Sequence, residues 1–358
     1  MTKVERIAVL TAGGDAPGMS ACVKAVVNRA TALGLKVKGV IGGYAGLLNN
    51  ELVDLTNENV AIMVSKGGTF LYSSRCKEFE TKEGMEKALA TLREEKIDAV
   101  VCIGGDGTFR GATDLYRNGI LTVGLPATID NDITATDYTI GLDTATNSTV
   151  QMIDNLRDTC ESHERLNVVE VMGHGCGQIA LYAAIATGAV AVSIPELPFD
   201  EEAAIAHIAD LRAKGKRGMI VIVSEGKTDP DGTPYAEGLE KRIKARTGLD
   251  TKFARLAHIV RGGSPTMKDR TFASEVAVKA VDLLVEGKSN LVMTEEDGDI
   301  VPVDIDLALA ADEMYKNKLK PGRLDRFTPE QIERMKAYCE KRRAEIKRLQ
   351  TLADSVAY

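Results

Sequence analysis

Apolar residues in this chain recur at two spacings, and the alternation between them predicts an α/β protein. Short apolar, largely β-branched runs read as strands buried in a parallel sheet. They fall at 7–10, 97–103, 120–125, 168–172, 189–194, 219–224 and 253–260, and 36–41 alternates like a strand. Between them the stretches 19–33, 82–96, 110–118, 144–160, 178–186 and 201–214 read as helices. Strands and helices in this order make an open, mostly parallel sheet flanked by helices.

So many strands need two lobes, and the first break is expected near Gly141. The segment 171–195 has no Asp, Glu, Lys or Arg, but four glycines interrupt it, so it reads as a buried loop, helix and strand and not as a membrane span. Residues 229–234 form a polar turn cluster, expected as an exposed loop. At the end of the chain Thr328-Pro329-Glu330-Gln331 has the form of a capping box with Pro at the first helical position. Ile332, Met335, Tyr338, Ile346, Leu349 and Leu352 then recur at helical intervals, and Arg342, Arg343, Lys347 and Arg348 are expected on the solvated face of that helix.

Charge narrows the function. The chain has 45 basic and 52 acidic side chains, a net charge of -7, which argues against a nucleic-acid protein. Anionic substrates would have to be met by local Lys, Arg and metal. Six scattered cysteines without a CxxC pair read as reduced thiols of a cytoplasmic protein, and no targeting segment is expected before the first strand.

The chemistry concentrates in residues 97–132. Gly104, Gly105 and Gly107 follow a buried strand and precede a helix, where backbone N–H groups and the positive helix end favour phosphate. The next strand delivers Pro126 to Asp132 to the same sheet edge, so Asp106, Asp130 and Asp132 are expected to converge there. Carboxylates beside phosphates call for a cation, and Mg²⁺ suits oxygen ligands. We assign the general base to Asp130, although the pattern alone does not say which carboxylate does which job. The turn Thr11 to Met19 is a second glycine-rich exit from a strand. No GxxxxGKS/T occurs, and Gly105, Gly107 and Gly111 miss the GxGxxG spacing, so neither a P-loop kinase nor a dinucleotide fold is indicated.

The motifs TAGGDAPGM (11–19), GGTFLYSSR (67–75), IGGDGT (103–108), LPATIDND (125–132), DYTIGLDTA (137–145), LRDTCESHERLNVVEVMG (156–173), SEG (224–226) and HIVRGGSP (258–265) resemble those of bacterial 6-phosphofructokinases, in family order up to about residue 320. The resemblance implies two similar three-layer, Rossmann-like lobes: 1–141 with 260–312 for ATP, and 142–259 with 313–327 for the sugar phosphate, followed by a helical extension over 328–358. It implies ATP-dependent phosphorylation of fructose 6-phosphate at its 1-hydroxyl, in glycolysis, by a cytoplasmic homotetramer that binds no nucleic acid or membrane. Asp130 would be the base, with Thr128 beside the γ-phosphate and Asp132 assisting with the metal, while Asp106 would ligate Mg²⁺. Gly14, Arg75, Cys76, Gly105, Gly107 and Thr108 would face ATP, with Gly14 and Arg75 also serving the transfer. Thr128, Ile129, Met172, Gly173, His174, Glu225, His258 and Arg261 would surround the sugar phosphate, with Arg165 and Lys252 arriving from a neighbouring subunit.

The donor follows from two positions. Pyrophosphate-using relatives typically carry Asp at Gly107 and Lys at Ala127, so this chain is expected to use ATP. The alternatives are a pyrophosphate-dependent phosphotransferase, a non-catalytic regulatory paralogue, and an NAD or lipid kinase, which also carries a GGDG turn. His174 and Lys252 stand where relatives have Arg. Arg157, Lys214 and Lys216 match an effector site for ADP or phosphoenolpyruvate, but Lys24, Asn28 and Asn57 replace arginines there and Val190 replaces a metal-holding Glu, so regulation by ADP is expected to be weak or absent. His207 and His163 are expected to be structural, and Tyr44 either faces adenine or packs in its loop.

Overall fold

The computed structural model describes residues 4–357. Its strands are β1 (Arg6–Thr11), β2 (Lys36–Val40), β3 (Leu52–Leu55), β4 (Ala99–Gly104), β5 (Leu121–Pro126), β6 (Arg165–Val171), β7 (Ala191–Ser193), β8 (Met219–Ser224), β9 (Asp250–Arg255), β10 (Leu291–Glu296) and β11 (Asp299–Asp304). They form a seven-stranded sheet in the order β11-β10-β5-β4-β1-β2-β3 and a four-stranded sheet in the order β7-β8-β6-β9. The second sheet is parallel throughout, and the first is parallel except at its two edges, where β3 and β11 run antiparallel to their neighbours. The expected α/β class with mostly parallel sheets and a terminal helix holds.

Each sheet belongs to its own unit. The first comprises Met1–Ile129, Ile133–Thr144 and Arg261–Glu340, and the second Asp130–Asp132, Ala145–Val260 and Lys341–Tyr358. In the first, β4 is buried at every residue and lies at the middle of the sheet, the position its unbroken apolar run requires. In the second, Leu166, Val168, Val221 and Val223 form a core with Ile205, Ile208, Leu239 and Ile243 of two flanking helices.

Four sequence readings need correction. Residues 313–327 belong to the first unit and not to the sugar lobe, because Arg326 bonds to Asp306 at 2.6 Å and Leu324 and Phe327 pack on the first unit's core. The terminal helix Pro329–Val356 is not a separate extension: Met335 and Tyr338 join the core of the first unit, whereas Ile346, Leu349 and Ala353 are buried in the second. Its capping box is present, with Gln331 N–H donating to Thr328 Oγ1 at 3.3 Å and Thr328 N–H to Gln331 Oε1 at 2.9 Å. Its basic face is not wholly solvated, since Arg342 is buried while Arg343, Lys347 and Arg348 are exposed. Finally, β9 ends at Arg255, and residues 257–260, expected as strand, lie in the short 3-10 turn Ala257–Arg261 that carries His258.

Candidate active site

The glycine-rich half of the candidate site is built where β1 and β4 leave the first sheet side by side. Ala12 N–H donates to Ile103 O at 3.0 Å, and Thr108 Oγ1 donates to Ala12 O at 3.0 Å, so the two glycine turns are tied together. The helix starts at Asp106, earlier than its apolar spacing predicts, so Asp106, Gly107 and Thr108 are its first turn. Their N–H groups are among those a helix leaves without internal partners, and the positive end of its dipole lies there.

The glycines of this turn have different reasons to be there. A Cβ on Gly104 would collide with Thr108 and with Ala12 O, so that glycine serves packing. A Cβ on Gly105 or Gly107 would meet nothing within 4 Å, so these two leave open space beside the backbone. Asp106 is held by its neighbours, accepting from Gly107 N–H at 2.7 Å and pairing with Arg110 at 3.1 Å. Arg261 Nη1 donates to Asp15 O at 3.0 Å and lies beside Gly14, so in this chain it belongs with the first glycine turn. Arg75 is exposed and Cys76 half-buried, following a segment anchored by the Thr11 to Thr69 and Ser74 to Gly42 hydrogen bonds. Tyr44 is packed, stacked on Phe79 with its hydroxyl donating to Thr108 O at 2.6 Å.

The chain leaves β5 at the same sheet edge, since Gly104 pairs with Pro126 and Ala127 N–H donates to Gly104 O at 3.0 Å. Thr128 O accepts from Thr139 Oγ1 at 2.6 Å, and Ile129 is fully buried, a packing residue by its surroundings. The DYTIGLDTA segment proves to be scaffolding. Buried Asp269 accepts from Tyr138 Oη and Gly141 N–H, both at 2.6 Å, and from Thr144 N–H at 2.9 Å. Asp130, Asn131 and Asp132 belong to the second unit, where Asp130 and Asn131 are buried and Asp132 is half-buried. Asn131 has φ +49°, Cys176 Sγ lies 4.0 Å from its carbonyl oxygen, and its side-chain amide donates to Gln178 Oε1. The loop is therefore clamped to the start of the helix Gln178–Thr187.

In the second unit the carboxyl ends of β6 and β8 bring Met172, Gly173, His174 and Glu225 together. Glu225 Oε1 accepts from Gly173 N–H at 3.3 Å and from His174 N–H at 3.2 Å. A Cβ on Gly173 would collide with Cys176 O, so the turn needs glycine there. His174 is exposed at φ +43°, an uncommon conformation for a non-glycine residue. His258 is exposed. Arg165 and Lys252 lie elsewhere, near the amino ends of β6 and β9, where they share Asp250 at 2.6 Å and 3.0 Å. Arg165 and Met172 bracket the seven-residue β6, about 20 Å at strand rise. At the expected effector site Val190 is a core residue, and Arg157 donates to Gly218 O at 3.0 Å and to Thr187 O.

Three residues escaped the sequence reading. Ser224 Oγ is buried 3.6 Å from where a Cβ on Gly173 would stand, with no hydrogen-bond partner among the described residues. Glu196 Oε1 and Oε2 accept from Gly177 N–H at 2.8 Å and 3.1 Å. Burial raises the Glu196 carboxyl above its ordinary value, opposed by that N–H and by Arg342, the third residue. Burial likewise pushes the neighbouring Cys176 thiol up to about 12. Glu196 and Arg342 lie in no motif, whereas Ser224 opens the segment SEG (224–226).

For a cation the first unit offers Asp106, a hard oxygen donor beside open glycine-lined space. Among the described residues no group of three or more His, Cys, Asp and Glu side chains could hold a metal ion. The donor set fits magnesium delivered on a nucleotide, which uses one or two carboxylates and takes its other ligands from phosphate and water. Among the described residues no helix is long and apolar enough to cross a membrane.

A family model for phosphofructokinases matches residues 6–284. The chain is 47% identical over 313 residues to an ATP-dependent 6-phosphofructokinase of Clostridium botulinum, covering 87% of this chain and 96% of that one. It is 47% identical over 316 residues to the ATP-dependent 6-phosphofructokinase 1 of Clostridium perfringens, covering 88% and 97%. A solved phosphofructokinase of Saccharomyces cerevisiae superposes with a TM-score of 0.82 at 33% identity over 93% of this chain, which spans about half (50%) of the yeast chain. By sequence and by fold, the chain belongs to the phosphofructokinase family.

Proposed function

We propose that this protein is an ATP-dependent 6-phosphofructokinase, transferring the γ-phosphoryl group of ATP to the 1-hydroxyl of fructose 6-phosphate. The observation that carries the reading is the pairing of β4 with β5. It sends the open helix start at Asp106–Thr108 and the chain leading to Asp130 out of one sheet edge.

The backbone at Gly14, Gly105 and Thr108 binds the phosphates through N–H groups, Gly107 leaves open space beside them, and Arg75 and Cys76 stand on the nucleotide side. Asp106 would hold Mg²⁺, which would neutralise phosphate charge. Asp130 takes the proton of the sugar hydroxyl, Thr128 lies beside the transferring group, and Asp132 supports the metal side. Met172, Gly173, His174, Glu225 and His258 hold the sugar, with Arg261 near the first glycine turn. The clamp on Asn131 holds the base without a step of its own, which is what a positioned base needs.

Arg165 and Lys252 reach the sugar phosphate of a second copy. Their position at the opposite end of β6 from Met172 supports this, because one sugar phosphate is too small to bridge that strand. A homotetramer, a cytoplasmic location and a place in glycolysis follow from the same reading.

ATP is favoured over pyrophosphate because neither backbone strain nor packing calls for glycine at 107, so its open space suits a nucleotide. The test is a coupled assay of the purified protein with fructose 6-phosphate and either ATP or pyrophosphate. ATP should support turnover. Activity with pyrophosphate alone would overturn the donor, and activity with neither would point to the non-catalytic paralogue.

A further inference from the structure

The first unit carries a cavity of about 440 Å³, lined by the helices Asp106–Arg117 and Ile305–Tyr315 and by the segment that follows the second of them. That volume suits a small-molecule site, for which about 300 to 1,000 Å³ is usual. Four arginines line it: Arg110 and Arg117 from the first helix, Arg323 and Arg326 from the following segment. The last two lie outside residues 6–284 that the family model matches, so the cavity is not built from the family's shared part alone. In a chain of net charge -7, four guanidinium groups around one cavity call for an anion.

The acidic residues of the lining do not use these groups up. Asp306 meets Arg117 at 3.1 Å and Arg326 at 2.6 Å, so one carboxylate serves two guanidinium groups. Arg117 also reaches Asp114 at 3.2 Å, Arg323 pairs with Glu313 at 2.7 Å, and Arg110 pairs with Asp106 at 3.1 Å. Donors exceed acceptors, because a guanidinium brings about five N–H groups and a carboxylate accepts about four. Arg323 shows this directly. Its side chain is only 16% exposed, and its buried Nη1 has no hydrogen-bond partner among the described residues. A buried donor of this kind is costly until an acceptor reaches it. The side chains of Arg110, Arg117 and Arg326 are each about half exposed, and pairs at that exposure hold weakly, so these guanidinium groups are able to turn to a stronger acceptor.

We propose that this cavity binds a phosphate group, carried by a small phosphate ester or as free phosphate. Guanidinium groups take phosphate oxygens two bonds at a time, and the three oxygens of a phosphate ester can meet arginines from both sides of the cavity, where a flat carboxylate meets one. The inference does not depend on the assigned reaction, in which none of the four arginines takes part.

Hydrogen exchange of the full chain over residues 317–327, followed against the concentration of inorganic phosphate or glycerol 3-phosphate at matched ionic strength, reads occupancy of this cavity and not of the glycine turns. Exchange there should slow, with half-saturation below about 10 mM. Arg110→Met and Arg326→Met, from opposite sides and at exposed positions where folding is spared, should each raise the half-saturating concentration roughly 10-fold or more. Arg110→Lys should recover part of the loss, since it keeps the charge without the fork. Arg348→Met, exposed on the terminal helix, should change nothing. Tighter binding of glycerol 3-phosphate than of phosphate identifies an ester as the ligand, and the reverse identifies free phosphate. No slowing of exchange by about 10 mM of either probe overturns the inference, as does protection that both Met variants leave intact. Succinate protecting the segment as well as either probe would overturn phosphate as the class.

Discussion

Arg165 and Asp250 stand opposite each other in register on β6 and β9, and their side chains meet at 2.6 Å. Lys252 takes the other oxygen of the same carboxylate at 3.0 Å, and these two cations, Lys252 foremost, hold the Asp250 carboxyl below its usual range. With Lys244 at 3.8 Å, three positive charges share one negative charge, leaving a surplus of two on a part-exposed strand edge, which suits a phosphate. Replacing Arg165 or Lys252 with Ala should therefore raise KM for fructose 6-phosphate roughly 10- to 100-fold and alter kcat little. Initial rates against the sugar phosphate at saturating ATP test this, and an unmoved KM would put the phosphate elsewhere.

Asp269 governs stability rather than chemistry. Its fully buried carboxylate takes donors from Tyr138, Gly141 and Thr144, so Asp269→Ala strands several buried donors at once. A loss of about 3 kcal/mol or more is expected from urea unfolding. Burial raises this carboxyl above its ordinary value of 3.8, against the pull of its hydrogen bonds. Just above that value the folded chain keeps a proton that the unfolded chain has released. Stability should therefore fall as pH rises through that window, and the slope should shrink in Asp269→Asn.

The first unit's centre was legible because β4 is buried on both faces and its sequence has no choice but to be apolar. The edge strands β10 and β11 were not, because half-exposed residues such as Leu291, Glu295 and Ile300 blur any period. Asp106 to Thr108 read as loop because glycine is a poor helix former, whereas in the structure they open the helix. At the terminal helix the spacing predicted the buried apolar side, but no pattern separates an inward arginine from an outward one. Arg342 is buried while Arg343, Lys347 and Arg348 on the same helix are exposed.

Regulation by ADP should be weak. The side chain of Val190 is in the core and offers a metal no oxygen, and Arg157 is engaged with the carbonyl oxygens of Gly218 and Thr187. Titrating ADP at sub-saturating fructose 6-phosphate should leave the saturation curve nearly unchanged. A large sigmoidal shift would contradict this.

Asp130→Ser removes the assigned base while the clamp on Asn131 stays. Turnover should fall roughly 10²- to 10⁴-fold, the usual worth of a positioned base, with smaller changes in both KM values. A rate close to wild type in a coupled assay would remove Asp130 from the chemistry.

Gly107 separates a stability effect from a binding effect. It is exposed in the first turn of its helix, and a Cβ there would meet nothing within 4 Å. Glycine costs a helix up to about 1 kcal/mol relative to Ala, and an acidic group near a helix N-terminus is favoured. On folding grounds alone, then, Gly107→Asp should leave the unfolding midpoint unchanged or higher. On the nucleotide reading the added carboxylate stands in the space meant for phosphates, and KM for ATP should rise roughly 10- to 100-fold through crowding and like-charge repulsion. Pyrophosphate, being smaller, should suffer less, so the ratio of rates with the two donors should move toward it. Opposite signs in stability and ATP binding would identify a residue kept small for its ligand. A variant that is as stable as wild type and binds ATP equally well would remove Gly107 from the nucleotide site, and with it the argument for ATP as donor.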